Sequence, residues 1–297
     1  MHHITEKEQR IFSMKKYVLD LTVKSVERLH ERYVLVKLTD INSLPEMQPG
    51  QFVEVRVDGS PSTFLRRPIS INFVDYDRNE LWLLVATIGE GTRRMGELKA
   101  GDVLNCMLPL GNGFRIQSGE TASHTNGEAA SHTHLLVGGG VGVAPLLYLG
   151  ACLKQEGVEP TFLLGARTKN DQLLLDEFRK YGRVLVTTED GSEGERGFVT
   201  NHSVLQEERF GLIQCCGPTP MMKAVARYAR QSHIECEVSL ENLMACGLGA
   251  CLCCVEKVRS AGVQECRSVE DRSAQTQNVC VCKEGPVFNI KRLLWQD

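Results

Sequence analysis

Apolar and polar residues alternate with a period of two through the first third of the chain. β-Branched or alternating segments at residues 17–26, 33–38, 52–57, 69–74, 81–88 and 103–108 are split by turns such as Asp58-Gly59-Ser60 and Ala100-Gly101-Asp102, the signature of short strands. Six such strands predict a small antiparallel barrel. Between them only residues 92–98 show helical spacing.

The pattern breaks at residues 117–132 (QSGETASHTNGEAASH), a polar stretch read as a linker or inserted surface loop. Its His124 and His132, with His134 just beyond, are expected to be solvated rather than metal ligands. From residue 135 the period changes. Strand-like runs at 135–137, 161–164, 183–187 and 211–215 alternate with helical stretches at 144–155, 171–180 and 219–231, which predicts a doubly wound parallel sheet with helices on both faces. Ligands of such sheets bind beyond the carboxyl ends of the strands.

Residues 135–153 carry no charge over 19 positions, long enough to span a bilayer. Gly138, Gly139, Gly140, Gly142, Pro145 and Gly150 interrupt the run, so strand, glycine loop and helix is the better reading and no membrane span is expected. At 297 residues the chain exceeds the usual size of one core, and two or three domains are expected. A net charge of −3 without a basic run argues against nucleic acid as a partner.

Most of the 12 cysteines crowd toward the C-terminal end, and the N-terminal MHHITEKEQR has no apolar signal core. A reducing, cytoplasmic setting is therefore expected instead of a disulfide framework. Cys106, Cys152, Cys215 and Cys236 lie in apolar runs and are expected to be small buried hydrophobes. Cys266, in a charged stretch, is expected at the surface.

The segment CGLGACLCC places Cys246, Cys251 and Cys254 at the C-x4-C-x2-C spacing of plant-type [2Fe–2S] sites, which take a fourth, distant cysteine. Cys280 and Cys282 are the candidates. Gly247 and Gly249 permit the backbone turns that aim N–H groups at sulfur. Zinc is the rival, although zinc knuckles usually pair two short C-x2-C or C-x2–4-C units and a five-residue step with two glycines is unusual for them. Cys253 falls off the spacing and is expected to be a spectator.

Two further loops open helices after strands. Gly138 to Pro145 (GGGVGVAP) offers free N–H groups to an anion, with Pro145 in the first helical turn. It lacks the G-x-G-x-x-G spacing and the acidic residue about 20 positions on. The second loop, CGPTPMM at Cys216 to Met222, should reach the same sheet edge. In the barrel, Leu65-Arg66-Arg67-Pro68 precedes a strand and Gly89-Glu90-Gly91-Thr92-Arg93 opens a helix that suits a pyrophosphate. Gly165-Ala166-Arg167-Thr168 has an arginine suited to a 2′-phosphate and no evident acidic partner, which leaves NAD against NADP open.

In this order RPIS at Arg67 to Ser70, the Gly91-Thr92 pair, GGGVGVAP and CGPTPMM resemble the ferredoxin–NADP reductase superfamily. With LMACGLGACLCC, nearly the whole chain is similar to the electron-transfer subunits of the two-subunit, NAD-dependent dihydroorotate dehydrogenases. The resemblance implies a flavin-binding antiparallel barrel at 12–116, a linker at 117–133, a nicotinamide-binding α/β domain at 134–235 and a small [2Fe–2S] domain at 236–297. It implies FAD contacts from Arg67, Pro68, Ile69 and Ser70, from Leu84, Val85 and Ala86 through backbone, and from Gly91 and Thr92. Gly139, Gly140 and Gly142 would face NAD, with Cys216 near the nicotinamide.

In the resembled family a G-P-V-F run follows the last cluster cysteine by two residues, and here it is Gly285 to Phe288, which selects Cys282 over Cys280. The implied activity is relay of electrons from an FMN-containing, dihydroorotate-oxidising subunit through [2Fe–2S] and FAD to NAD+, in pyrimidine (UMP) biosynthesis. The implied assembly is two plus two. The alternatives are a flavin and iron–sulfur subunit of another NAD(P)H-dependent complex, such as a hydrogenase or transhydrogenase, and a zinc-bound, non-catalytic adaptor.

Overall fold

The computed structural model describes residues 15–60, 62–116, 133–260 and 276–295. The stretch 117–132, with His124 and His132, lies outside the described residues, as does Cys266. Strands β1 (Tyr17–His30), β2 (Tyr33–Thr39), β3 (Phe52–Val55), β4 (Arg67–Asp75), β5 (Glu80–Ala86) and β6 (Val103–Leu110) form a barrel. It closes in the order β1-β2-β5-β4-β3-β6 with every pairing antiparallel. Closure leaves no open edge. Leu21, Val23, Val36, Val53, Ile71 and Leu83 fill its interior, fully buried.

Strand β3 departs from the two-residue alternation, being buried at all four positions. Its outer side lies beneath the C-terminal segment, where Phe52 shares a core with Cys254, Cys282 and Phe288. Helix α1 (Glu90–Met95) starts earlier than the spacing predicts. The Thr92 hydroxyl accepts from the Gly89 N–H at 3.1 Å and so caps the first turn.

The second sheet runs β10 (Glu195–Arg196), β9 (Arg183–Thr188), β8 (Thr161–Ala166), β7 (His134–Gly139), β11 (Leu212–Cys216), β12 (Glu235–Ser239) and β15 (Val287–Asn289). All neighbours are parallel except β12 and β15. Helices α2 (Ala144–Gln155), α3 (Leu175–Arg179), α4 (Val204–Glu207) and α5 (Thr219–Gln231) connect the strands. Helix α3 is shorter than the 171–180 expected, because Lys169–Asp171 forms a separate 3-10 turn and Leu174 takes a left-handed φ of 56°.

Helix α2 buries nine of its 12 residues. It is wedged between sheet and barrel, with Asn72 Nδ2 donating to the Ala144 carbonyl at 2.9 Å and the Tyr148 hydroxyl to the Met47 carbonyl at 3.0 Å. Protein on both sides, rather than lipid, accounts for the uncharged run. Among the described residues no helix is long and apolar enough to cross a membrane.

His134 is not solvated as expected. It opens β7, is buried, and places Nδ1 3.2 Å from Gln214 Oε1 on β11. The strand begins one residue before its apolar run, and the adjacent strand covers the ring.

The chain beyond β12 adds a hairpin of β13 (Val255–Arg259) and β14 (Thr276–Cys280), then the single turn α6 (Val281–Glu284). Strand β15 then returns to the large sheet. The position 235/236, where the sequence suggests a boundary, falls within β12.

Candidate functional site

Strands β7 and β11 are neighbours although β8, β9 and β10 intervene in sequence, so the strand order reverses between them. A crevice opens at such a switch point. An ideal Cβ on Gly142 would lie 2.4 Å from Gly217 Cα and 2.7 Å from the Cys216 carbonyl oxygen, so the two glycine loops touch through backbone. A Cβ on Gly139 would lie 2.6 Å from Met221 Sδ. Gly140, at φ +57°, faces open space, with Tyr33 Oη its nearest neighbour at 3.9 Å. These loops leave bare backbone where a dinucleotide needs close approach.

Cys216 ends β11, fully buried. Burial, and then the charge of Glu241, push its thiol well above the ordinary range despite a hydrogen bond with Ser239. A thiol so held stays protonated and offers neither base nor nucleophile. Arg167 does have an acidic partner, contrary to the sequence reading. Asp171, four residues on, stands 3.9 Å from Arg167 and 3.5 Å from Arg32, and accepts from the Thr168 hydroxyl at 3.0 Å. The 3-10 turn brings this pair together.

On the barrel, Arg67 starts β4 and donates to the Leu65 carbonyl at 2.9 Å. A Cβ on Gly91 would lie 2.9 Å from Thr63 Cγ2 and 3.4 Å from Arg67 Nε, so the RPIS strand and the α1 turn form one cradle. Thr92 turns its hydroxyl back to its own helix cap. Pro68, Ile69 and Ser70 pair with Glu54, Val53 and Phe52. Leu84, Val85 and Ala86 pair with Leu35, Val34 and Tyr33. Leu84 packs in the core that holds Val143, Ala144 and Cys216, which sets this strand at the junction with the nicotinamide loops. The cradle and junction fit a flavin nucleotide lying between barrel and sheet.

The cysteine loop follows β12. Gly247 and Gly249 take φ of +66° and +80°, the left-handed region open to glycine at little cost. Three backbone N–H groups point at sulfur: Leu248 to Cys246 at 3.3 Å, Gly249 to Cys282 at 3.1 Å and Cys282 to Cys254 at 3.4 Å. Cys246 and Cys251 are neighbours, and Cys254 has both Cys280 and Cys282 beside it. Burial opposes ionisation of Cys246, but donors from Leu248, Cys251 and Ala250 outweigh it and bring the thiol down to about 6. Burial and the adjacent Cys254 push Cys282 up to about 12.

Among the described residues no three His, Cys, Asp or Glu side chains converge on one point. Cys254 lies within reach of both Cys280 and Cys282, so the loop and the C-terminal turn bring their sulfurs to one region. Cys280 differs from Cys282, since its sulfur donates to the Gly249 carbonyl at 3.6 Å, which requires a protonated thiol. Cys253 is exposed.

Two residues passed over in the sequence reading join this loop to the barrel. Asn112, after β6, donates from its side chain to the Lys283 and Glu284 carbonyls, both at 3.1 Å, and from its N–H to the Gly285 carbonyl at 2.6 Å. It caps the turn that carries Cys282. The bracketing glycines of Gly111-Asn112-Gly113 were its only signal. Glu54, on β3, lies against Gly247, and an apolar run gave no cue to it. Phe52, Leu110, Cys254 and Cys282 share one core, so barrel and loop are packed as a unit.

Comparison with known proteins agrees with this layout. Residues 241–294 match the model of the iron-sulfur cluster binding domain of dihydroorotate dehydrogenase B, and residues 136–227 that of an oxidoreductase NAD-binding domain. The chain is 37% identical over 250 residues to the dihydroorotate dehydrogenase B (NAD(+)) electron transfer subunit of Caldanaerobacter subterraneus subsp. tengcongensis, covering 83% of this chain and 87% of that one. The subunit of the same name from Bacillus velezensis is 37% identical over 276 residues, covering 92% and 97%.

Among solved structures, that of an NADH-dependent reduced ferredoxin-NADP oxidoreductase superposes with a TM-score of 0.74 at 28% identity, covering 96% of this chain and 92% of that one. The ferredoxin reductase of carbazole 1,9a-dioxygenase, at 19% identity and a TM-score of 0.61, shares the fold, covering 76% and 69%.

Proposed function

The chain belongs to the family of dihydroorotate dehydrogenase B (NAD(+)) electron transfer subunits, and from that membership we propose how its residues carry electrons to NAD+. When bound, the [2Fe–2S] cluster passes single electrons and the FAD gathers two of them for delivery to NAD+ as a hydride. Cys246, Cys251, Cys254 and Cys282 would hold the cluster. The N–H groups of Leu248, Gly249 and Cys282 offset the negative charge on sulfur. Arg67 and Gly91 seat the FAD pyrophosphate. Ser70 and the backbone of Leu84, Val85 and Ala86 orient its ring toward Gly139, Gly140 and Gly142, which receive NAD. Thr92 fixes the turn before that seat, and Cys216 walls the nicotinamide.

The domain division follows the cofactors: 12–116 for FAD, 134–235 for NAD and 236–297 for the cluster, with 117–133 as the link. The electron source in this proposal is an FMN-containing subunit that oxidises dihydroorotate, assembled two plus two with this chain in the pathway to UMP. Asp171 beside Arg167 favours NAD over a 2′-phosphorylated dinucleotide. The 11 described cysteines are all free, in keeping with a reducing cytoplasm.

The convergence of backbone N–H groups on the sulfurs of Cys246, Cys254 and Cys282 is the observation that carries the reading. Together with the C-x4-C-x2-C spacing it supports a [2Fe–2S] centre. The test is Cys251→Ser in the complex with the partner. Loss of the cluster's visible absorption and of dihydroorotate-driven NAD+ reduction is expected, with NADH-to-dye activity at FAD retained. A variant that still couples dihydroorotate to NAD+ would refute the relay, and a colourless native protein would refute the cofactor set.

A further inference from the structure

Glu54 stands where an apolar residue belongs. Its strand neighbours Phe52, Val53 and Val55 are core residues, and Glu54 itself is 0% exposed. Neither carboxylate oxygen has a hydrogen-bond partner among the described residues. An ideal Cβ on Gly247 would lie 2.7 Å from Glu54 Cγ and 3.2 Å from its Oε1, so the carboxylate lies against the loop that begins at Cys246. On the other side Glu54 pairs with Pro68 of the RPIS strand. It therefore sits between the two cofactor sites.

The charged groups around it do not neutralise it. Arg66 is committed elsewhere, with Nη1 donating to the backbone carbonyls of Glu54 and Asn105 at 3.1 Å each and Nη2 to Asn105 Oδ1 at 2.5 Å. Arg67 donates to the carbonyls of Leu65 and Arg66. Burial raises the Glu54 carboxyl to about 7, Arg66 and Arg67 working against that rise and Cys246 with it. A buried carboxylate without donors is costly, and an apolar side chain of that size would pack there at no such cost. A charge kept in this place acts on what lies beside it.

We propose that Glu54 is a potential-setting residue, whose carboxylate beneath the Cys246 loop opposes added negative charge and holds the reduction potential of the cluster down. A reduced cluster beside that carboxylate gives up its electron more readily than one without it. The inference rests on the reading that Cys246, Cys251, Cys254 and Cys282 hold a [2Fe–2S] cluster.

The test is a redox titration of the intact, cofactor-loaded protein followed by electron paramagnetic resonance at pH 8.5, above the raised value of about 7 for this carboxyl. Glu54→Gln keeps the shape and removes the charge, and Glu54→Asp keeps the charge. The Gln variant should raise the reduction equilibrium of the cluster by about tenfold, about 59 mV for one electron, with Asp close to wild type. Should the Gln variant fail to retain iron, Glu54→Met, which leaves no buried polar atom, takes its place with the same expectation.

Equal potentials in the uncharged variant and wild type would overturn the proposal. So would an Asp shift as large as that of Gln, which would mark packing instead of charge. A wild-type protein with no cluster signal would overturn the four-cysteine assignment itself, and the proposal with it.

Discussion

Alanine in place of Gly142 tests whether the two loops at the sheet's switch point act as one surface. Its methyl carbon would stand 2.4 Å from Gly217 Cα, 2.6 Å from Gly217 N and 2.7 Å from the Cys216 carbonyl oxygen. Non-bonded carbons normally rest about 3.5–4.0 Å apart. All three atoms are backbone, so no side chain can rotate away and the loops must part by about 1 Å. Overpacking of this kind costs about 1–3 kcal/mol. Drawn from dinucleotide binding, that is a loss of about 5- to 150-fold.

Gly140→Ala is the control, because its nearest neighbour, Tyr33 Oη, is 3.9 Å away and its φ of +57° brings strain without collision. That strain is about 1–2 kcal/mol and leaves the loops in contact. The assay is NADH-driven dye reduction through FAD over a range of NADH, with iron and flavin content and Tm measured alongside. Gly142→Ala should raise KM for NADH at least about fivefold, more than Gly140→Ala does, with both cofactors retained. A Gly142→Ala protein with wild-type KM and Tm would refute the claim that the loops are held in contact.

Two more outcomes are expected. Cys282→Ser should lose iron and the cluster spectrum while Cys280→Ser keeps both, because the Cys282 sulfur receives an N–H and the Cys280 sulfur faces a carbonyl. Equal iron loss would count against this choice of ligand. The Glu54 carboxyl, raised from 4.5 to about 7 in the folded chain, contributes stability that is complete below pH 4.5 and lost as pH rises through about 7. Glu54→Gln should therefore gain on wild type by roughly 3 kcal/mol between pH 4.5 and 8.5, read as denaturant midpoints at the two values. A pH-independent difference between the two proteins would refute it.

The barrel strands were legible because each turns one face to an apolar interior, and a two-residue period records that. The glycine loops were legible as places where only bare backbone fits. Strand β3 was the exception in kind, since an alternating run with a carboxylate gives no notice of a second layer above it. The α6 turn, β13, β14 and β15 escaped notice because they are short and gain their burial from the barrel and sheet they touch, not from any period of their own. His134 and Asp171 were misjudged for a related reason: their partners, Gln214 and the two arginines, become neighbours only through strand order and a 3-10 turn.

The cysteine spacing, the strand period and the loop glycines are set by local geometry, and the sequence by itself determined through them the fold class and an iron–sulfur candidate, while FAD and the residues to hold it came from the family resemblance of the motifs. Contacts between distant segments needed the folded chain. Gly142 against Gly217, Asn112 on the turn of Cys282, and Glu54 between Gly247 and Pro68 join residues separated by 75, 170 and 193 positions. No periodicity extends over such separations. They depend on how barrel, sheet and loop pack, and only that packing decided that the RPIS strand and the cysteine loop flank one buried carboxylate.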